Sequence, residues 1–272
     1  MTRLLTGLAL LALFLWVLLR GPLLGFVALV ALGAGLAVWE AYGLLEKMGT
    51  RPFKVLGTLA TLATIATFLP ARLPSPVWGP AFAVVVTVGI TLIAAMALRE
   101  DPPAMLQAAS ATLFPYVFVG LALSYTMGLR TIDDRAGRDL PLLLLLCLAA
   151  SDSFALYVGR SLGRHRMAPT LSPKKSWEGA IAGLAGSVLA AFVALWTFYT
   201  RLTPLHCVVL GLLLGAAGIL GDLAESMVKR AAGAKDSSTL LPGHGGILDR
   251  ADSLLFTAPV LYYYYFLFLD RP

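Results

Sequence analysis

The chain has 272 residues, of which 58% are hydrophobic and only 13% are charged, and its mean hydropathy is +0.82. Soluble domains carry about 25% charged residues, so this chain has too little polar surface to cover a water-soluble globule. Its 21 basic and 15 acidic residues give a net charge of +6. That excess suits anionic headgroups and phosphates, and no nucleic-acid-binding signature accompanies it. The composition predicts an integral membrane protein.

Long apolar runs divide the chain into candidate membrane spans, since about 20 apolar residues cross a bilayer as a helix. The pattern predicts an all-α, polytopic membrane protein with about nine transmembrane helices. They lie at roughly 4–19, 22–43, 55–70, 77–98, 104–128, 140–159, 177–199, 203–224 and 253–269. The first run ends in Arg20-Gly21-Pro22 without a small-residue cleavage site, so we expect a retained span rather than a signal peptide.

The distribution of Lys and Arg predicts the orientation of these spans, because cytoplasmic loops carry the excess of basic residues. With nine spans, the side that holds the N-terminus has 14 basic residues and the opposite side has 7. We therefore expect the loops at 160–176 and 229–248 to be cytoplasmic and Pro272 to lie on the opposite face.

Acidic residues close the eighth span and open the ninth. Asp222, Glu225 and Ser226 share one helical face by their i, i+3, i+4 spacing, and Asp249 and Asp252 repeat the i, i+3 pattern. A carboxylate near hydrocarbon is costly unless neutralised and marks a functional site by default. Oxygen ligands at two helix ends suit Mg²⁺ bound together with substrate phosphates.

We therefore predict that Asp222 and Asp249 hold the ion, with Asp252 and Glu225 supporting them. The alternative from spacing alone is that Asp222 and Asp249 form ion pairs with Arg230 and Arg250.

A glycine-rich turn, Gly243-His244-Gly245-Gly246, precedes the last span. Glycines let backbone N–H groups approach an anion closely. Several basic residues flank the turn: Lys229, Arg230, Lys235 and Arg250. The pattern favours a phosphate site, whereas His244 is open to interpretation as an acid–base group or as a hydrogen-bonding turn residue.

A second polar segment runs from Asp152 to Gly179. Asp152 lies near the cytoplasmic end of its span, and Lys174 and Lys175 precede the next span. Serines and Glu178 beside these lysines favour a substrate-facing loop over simple membrane anchors. For Arg160, Arg164, His165 and Arg166 we expect anchoring or attraction to lipid headgroups.

The stretch from Ser226 to Asp252 resembles the signature of the phosphatidate cytidylyltransferases, also called CDP-diacylglycerol synthases. Every fixed position of that signature is matched: Ser226, Lys229, Arg230, Lys235, Asp236, Ser238, Leu241, His244, Gly245, Gly246, Asp249, Arg250 and Asp252. The blocks at 152–159, 172–179 and 221–222 also resemble the family, although Phe154 stands where many members have glycine. The resemblance covers about residues 150–255.

This resemblance implies an enzyme that transfers CMP from CTP to phosphatidic acid, giving CDP-diacylglycerol and pyrophosphate. It implies a homodimer in the bacterial plasma membrane, with a site that faces the cytoplasm. It also implies Mg²⁺ at Asp222 and Asp249 and allows a second, monovalent cation such as K⁺. We expect a single membrane domain over 1–272, with N-terminal spans at 1–139 and catalytic spans and cytoplasmic loops at 140–272.

The site residues expected from the residues and the resemblance together fall into three sets. The catalytic set is Asp222, Asp249, Lys229, Arg230, His244 and Arg250. The substrate-binding set is Lys174, Lys175, Ser226, Lys235, Asp236, Gly245, Gly246 and Asp152. The metal-binding set is Asp222, Asp249 and Asp252.

Two other functions compete with this interpretation. An ion-coupled transporter also carries intramembrane carboxylates, although here the charges gather at one membrane face and no inverted repeat is visible. Another CTP-using lipid enzyme, such as a polyprenol kinase or a cytidylyltransferase for an ether lipid, is the nearer rival.

Overall fold

The computed structural model describes residues 2–69, 79–133, 135–241 and 245–270. Its first helices are α1 Thr2–Leu19, α2 Leu23–Lys47, α3 Lys54–Ala66, α4 Pro80–Ala97, α5 Pro102–Pro115 and α6 Ala122–Arg130, with a π-helical stretch at Tyr116–Leu121. The later elements are α7 Ala136–Ser161, β1 Arg166–Ala168, β2 Ser172–Ser176, α8 Trp177–Thr197, α9 Pro204–Ala231, α10 Leu248–Ala251 and α11 Leu254–Tyr264, followed by a π-helical stretch at Tyr265–Leu269.

Within the described residues, seven helical segments are long and apolar enough to cross a membrane. They are Leu23–Lys47, Pro80–Ala97, Pro102–Arg130, Ala136–Ser161, Trp177–Thr197, Pro204–Ala231 and Leu248–Leu269. The predicted all-α, polytopic membrane fold is confirmed. The helix α3 has 13 residues and rises about 20 Å, which is less than the roughly 30 Å hydrocarbon core. The count of nine spans stays a prediction.

Large apolar side chains cover the outer surfaces of these helices. Leu24 is 76% exposed, Ile93 is 64% exposed and Trp196 is 74% exposed. Exposed apolar surface of this extent is unfavourable in water and is solvated in hydrocarbon. The chain is therefore an integral membrane protein.

The chain divides into two compact units. The first holds the residues up to Thr131 together with Val228–Ala251, and the second holds Ile132–Met227 together with the residues from Asp252 onward. In the first unit, the buried Tyr42 hydroxyl donates to the Thr112 carbonyl over 2.9 Å. The hydroxyls of Thr64 and Tyr116 are 2.9 Å apart. These four polar groups within the apolar core are thus paired with each other.

In the second unit, α7 and α8 approach closely because small residues line their contact. A β-carbon on Gly183 would meet Ser151, and one on Gly186 would meet Phe154 and the Ala150 carbonyl. Small residues of this kind let helix backbones pack tightly in a membrane. This close pair holds the polar ends of α7 and α8 in fixed register.

A short antiparallel hairpin joins α7 to α8, where the sequence predicted only a loop at 160–176. Its strands pair Arg166 with Ser176 and Ala168 with Ser172. The buried Ser176 side chain caps α8 by accepting the Gly179 N–H over 3.2 Å. The hairpin thereby fixes β2, the strand that carries Lys174 and Lys175, against the start of α8.

Gly211→Ala should destabilise the second unit. A β-carbon at Gly211 would lie 2.5 Å from the Val188 Cα and 2.9 Å from its backbone nitrogen, and these backbone atoms can move only if α8 moves. Overpacking of this kind costs about 1–3 kcal/mol, so the melting temperature of the detergent-solubilised protein should fall. The matched control is Gly33→Ala in α2, where nothing lies within 4 Å of the added carbon. Equal melting temperatures for the two variants would contradict the prediction.

Candidate active site

Three carboxylates meet in the second unit. Asp222 and Glu225 lie one turn apart on α9, and Asp252 lies just before α11. One oxygen from each of the three lies within 4.8 Å of the others. Glu225 is 0% exposed, and the Ser226 hydroxyl donates to the Asp222 Oδ1 over 3.4 Å. The predicted common face of Asp222, Glu225 and Ser226 is confirmed. The carboxylates of Asp222, Glu225 and Asp252 are called the acidic group below.

Further contacts orient two members of the acidic group. The Lys175 ammonium lies 2.5 Å from the Asp222 Oδ2. The Asp252 Oδ1 accepts the Ser253 N–H over 2.6 Å and the Ser253 hydroxyl over 3.1 Å. Asp222 does form an ion pair, as the sequence alternative expected, but its partner is Lys175.

Asp222 also borders a cavity of about 550 Å³. Two carboxylates and four basic residues line this charged cavity: Asp152, Asp222, Arg160, Arg166, Lys174 and Lys175. Lys174, Lys175 and Asp152, three members of the predicted substrate-binding set, all line this cavity. A volume in the range of roughly 300–1,000 Å³ is typical of a small-molecule site.

Arg160 and Arg166 were expected to serve in anchoring or in attraction to lipid headgroups, and the structure places both in the lining of the charged cavity. The sequence contained a signal for Arg160. Residues at i, i+4 and i+8 share one helical face, so Arg160 lies on the face of α7 that carries Asp152. Arg166 lies on β1, and the hairpin that places it was not predicted.

In the first unit, several donors surround Asp249. The Lys229 ammonium lies 2.6 Å from the Asp249 Oδ1, with 11% and 6% of the two side chains exposed. The Asp249 Oδ2 lies 2.8 Å from both the backbone nitrogen and the hydroxyl of Ser237 and 2.7 Å from the Gly246 nitrogen. Asp249 therefore forms its ion pair with Lys229, and not with the Arg250 considered from the sequence.

The described part of the glycine turn differs from the expected phosphate cradle. Gly245 has a φ of +79°, which favours glycine because a β-carbon is strained there. The next N–H groups along the chain donate to protein carboxylates: Gly246 to Asp249, and Ile247 and Leu248 to Glu40. In this structure, these amides are therefore bound within the protein. His244 lies outside the described residues.

The remaining predicted residues lie at the surface of the first unit. Lys235, Asp236 and Arg250 are exposed, and the Arg230 guanidinium donates to the Ala234 carbonyl over 3.0 Å. Glu40 was not predicted, although a single carboxylate inside an apolar span is itself a signal of function.

The fold and these sites define a class, the polytopic membrane proteins with clustered carboxylates and cations at helix ends. The chain belongs to the cytidylyltransferase family, which matches residues 1–268. The resemblance predicted from Ser226 to Asp252 is confirmed.

Three relatives are phosphatidate cytidylyltransferases. That of Synechocystis sp. is 47% identical over 128 residues, which are 47% of this chain and 43% of the relative. That of Haemophilus influenzae is 38% identical over 196 residues, or 71% and 66% of the two chains. That of Bacillus subtilis is 29% identical over 275 residues, or 98% and 97%. The match spans less than two thirds of the first two relatives' own length.

Proposed function

We propose that the chain is a phosphatidate cytidylyltransferase, which transfers CMP from CTP to phosphatidic acid and releases pyrophosphate. The observation that carries this proposal is the charged cavity, in which Asp222 of the acidic group and Lys175 of β2 form an ion pair. Four cations in one cavity suit a polyphosphate, whereas two carboxylates there would repel it unless a cation intervened. The names of the three relatives support the same reaction.

In the proposed reaction, a phosphate oxygen of phosphatidic acid forms a bond to the α-phosphorus of CTP. The bond from that phosphorus to the bridging oxygen breaks, and the electron pair leaves with pyrophosphate. Phosphoryl transfer depends mainly on positioning and on neutralising charge. Lys174, Lys175, Arg160 and Arg166 would bind and orient the phosphates, and the anionic lipid phosphate needs no strong general base.

The acidic group fits a divalent cation, because its three carboxylates are hard oxygen donors close enough to share one ion. We propose that Asp222 and Asp252 hold Mg²⁺, with Glu225 beside them. When bound, Mg²⁺ would neutralise negative charge on the CTP phosphates. The Asp249 Oδ2 faces the N–H and the hydroxyl of Ser237 and the Gly246 N–H, and its Oδ1 faces Lys229. That Asp249 also binds the Mg²⁺ ion stays a prediction, and so does the presence of a monovalent cation.

The test is pyrophosphate release by the purified full-length chain in detergent. We expect release only when CTP and phosphatidic acid are both present, together with formation of CDP-diacylglycerol. Phosphorylation of a polyprenol by CTP without pyrophosphate release would identify the lipid kinase instead. Ion flux in vesicles without nucleotide turnover would identify the transporter. The expected homodimer can be checked from the mass of the detergent-solubilised protein.

We also propose that the charged cavity opens toward the cytoplasm, as the excess of basic residues on that side predicts. Single cysteines at Ala232 and Asp270, in a background without Cys147 and Cys207, should react differently with an impermeant thiol reagent. Only the cysteine at 270 should be labelled from outside intact cells, and both should be labelled after permeabilisation. Equal labelling of both in intact cells would contradict the topology.

A further inference from the structure

Glu40 is a buried carboxylate among apolar residues in the C-terminal half of α2. Only 8% of the residue is exposed, and it lies within a helix long and apolar enough to cross a membrane. The same helix carries Glu46 near its end, where Glu46 pairs with Lys54 over 2.7 Å. A carboxylate in the position of Glu40 is costly unless the protein supplies partners.

Four hydrogen bonds supply these partners. The Glu40 Oε1 accepts from the Ser238 hydroxyl over 2.7 Å and from the Ile247 N–H over 3.1 Å. The Glu40 Oε2 accepts from the Ser237 hydroxyl over 2.8 Å and from the Leu248 N–H over 2.9 Å. Two donors thus reach each oxygen, all from residues about 200 positions away along the chain.

This arrangement distinguishes Glu40 chemically from the carboxylates that we propose as metal ligands. A carboxylate offers about four lone-pair sites. Three donors serve Glu40 alone, and the Ser237 hydroxyl is shared with Asp249. Glu40 therefore has little remaining capacity to bind a metal ion or to accept a substrate proton. Its contacts instead fasten two pieces of chain, 237–238 and 246–248, which are called the anchored segments below.

The anchored segments also hold Asp249. The Ser237 hydroxyl lies 2.8 Å from the Glu40 Oε2 and 2.8 Å from the Asp249 Oδ2, and it can donate its single proton to only one of these carboxylates at a time. The Ser237 and Gly246 N–H groups donate to Asp249. A β-carbon on Gly246 would collide with both the Ser237 hydroxyl and the Glu40 carboxylate. The position of Asp249 thus depends on segments that Glu40 fastens to α2.

We propose that Glu40 is a positioning residue, which holds the anchored segments so that Asp249 and its partner Lys229 keep the orientation that catalysis requires. The inference rests on the proposed function only in its last clause. A positioning role for Glu40 would mean that α2, an early helix, contributes to the site, although the family signature lies entirely in the later half of the chain.

The test compares Glu40→Gln with Glu46→Gln, the same substitution on the same helix at a carboxylate that does not contact the anchored segments. An amide nitrogen cannot accept from an N–H group, so in Glu40→Gln either Ile247 or Leu248 loses its acceptor. Hydrogen exchange at 237–238 and 246–248 should accelerate by about tenfold or more. The kcat should fall by about 100-fold, as for a misplaced catalytic group, while the KM for CTP changes by less than about threefold.

Exchange is measured on the resting protein without substrates, so it decides whether Glu40 fastens the segments even if the chain proves not to make CDP-diacylglycerol. A wild-type protein without that activity would defeat the proposed function alone. Unchanged exchange in Glu40→Gln overturns the inference, and so does faster exchange with a wild-type kcat. Glu46→Gln should match the wild type in both measurements.

A second variant keeps the test decisive if Glu40→Gln does not fold. Ser238→Ala removes one donor to Glu40 from a half-buried position and leaves the Asp249 contacts in place. Exchange at 247–248 should then accelerate and kcat should fall, each by less than in Glu40→Gln. Wild-type values in Ser238→Ala, with Glu40→Gln unfolded, would assign Glu40 to folding only and overturn the positioning role.

Discussion

Asp222→Asn should abolish cytidylyl transfer and leave a folded protein. The substitution keeps the shape of the side chain. It removes the negative charge that Asp222 contributes to the acidic group and to the ion pair with Lys175. Loss of one preorganised electrostatic contact costs about 10²–10³-fold in kcat, and loss of a metal ligand should cost at least as much. The measurement is turnover in detergent as a function of Mg²⁺ concentration. Raised Mg²⁺ should restore only part of the activity.

The rival explanation is that Asp222 serves only as the partner of Lys175. Lys175→Met would then resemble Asp222→Asn, and the double variant would recover activity, because neither charge would remain unpaired. We expect the double variant to stay inactive. Asp133→Asn, which changes a carboxylate 3.9 Å from Arg201 in the same unit, is the matched control and should retain activity. A folded Asp222→Asn enzyme with normal turnover and normal Mg²⁺ dependence would refute the metal assignment.

Lys229→Met should lose both activity and stability. Lys229 and Asp249 form an ion pair whose side chains are almost entirely buried, and removal of one partner leaves a buried charge at a cost of about 3–5 kcal/mol. Asp249→Asn removes the counter-charge of the buried Lys229 ammonium and should also lower stability, although the asparagine keeps one oxygen for the Ser237 and Gly246 donors. Thermal unfolding in detergent, measured with turnover, separates these effects.

Arg250→Ala provides the contrast to Lys229→Met. Arg250 is exposed, so its truncation should leave the melting temperature unchanged. If Arg250 neutralises CTP phosphates or the departing pyrophosphate, kcat/KM should fall by an amount equivalent to about 2–4 kcal/mol. Near-normal activity in well-expressed Arg250→Ala would show that Arg250 has no part in the reaction.

The sequence predicted the features that follow from local rules. The apolar runs predicted the helices because a chain in hydrocarbon must satisfy its backbone hydrogen bonds within each span. The i, i+3 spacing on α9 predicted that Asp222 and Glu225 share a face, because helical geometry is independent of the rest of the fold. Asp252 lies in the same acidic group, and its role as a metal ligand stays a prediction.

The features that were not predicted depend on contacts between distant parts of the chain. Glu40 meets Ser237 across 197 positions and Leu248 across 208, and a single sequence contains no rule that pairs them. For the same reason, the sequence did not identify Lys175 as the partner of Asp222 or Lys229 as the partner of Asp249. In both cases an arginine lies closer to the aspartate along the chain. Arg166 reaches the charged cavity through a hairpin that local propensity did not indicate.

The contact between Gly211 and Val188 restricts how the second unit can evolve. A base change in the first two positions of a glycine codon gives either a stop codon or a residue with a β-carbon. Alanine is the smallest of these residues, and its β-carbon at position 211 would already meet the Val188 backbone. No substitution at Val188 can relieve that collision, because every amino acid has the Cα and the nitrogen involved. The spacing of α8 and α9 can therefore change only by displacement of a whole helix, so single mutations offer no gradual route to a wider separation.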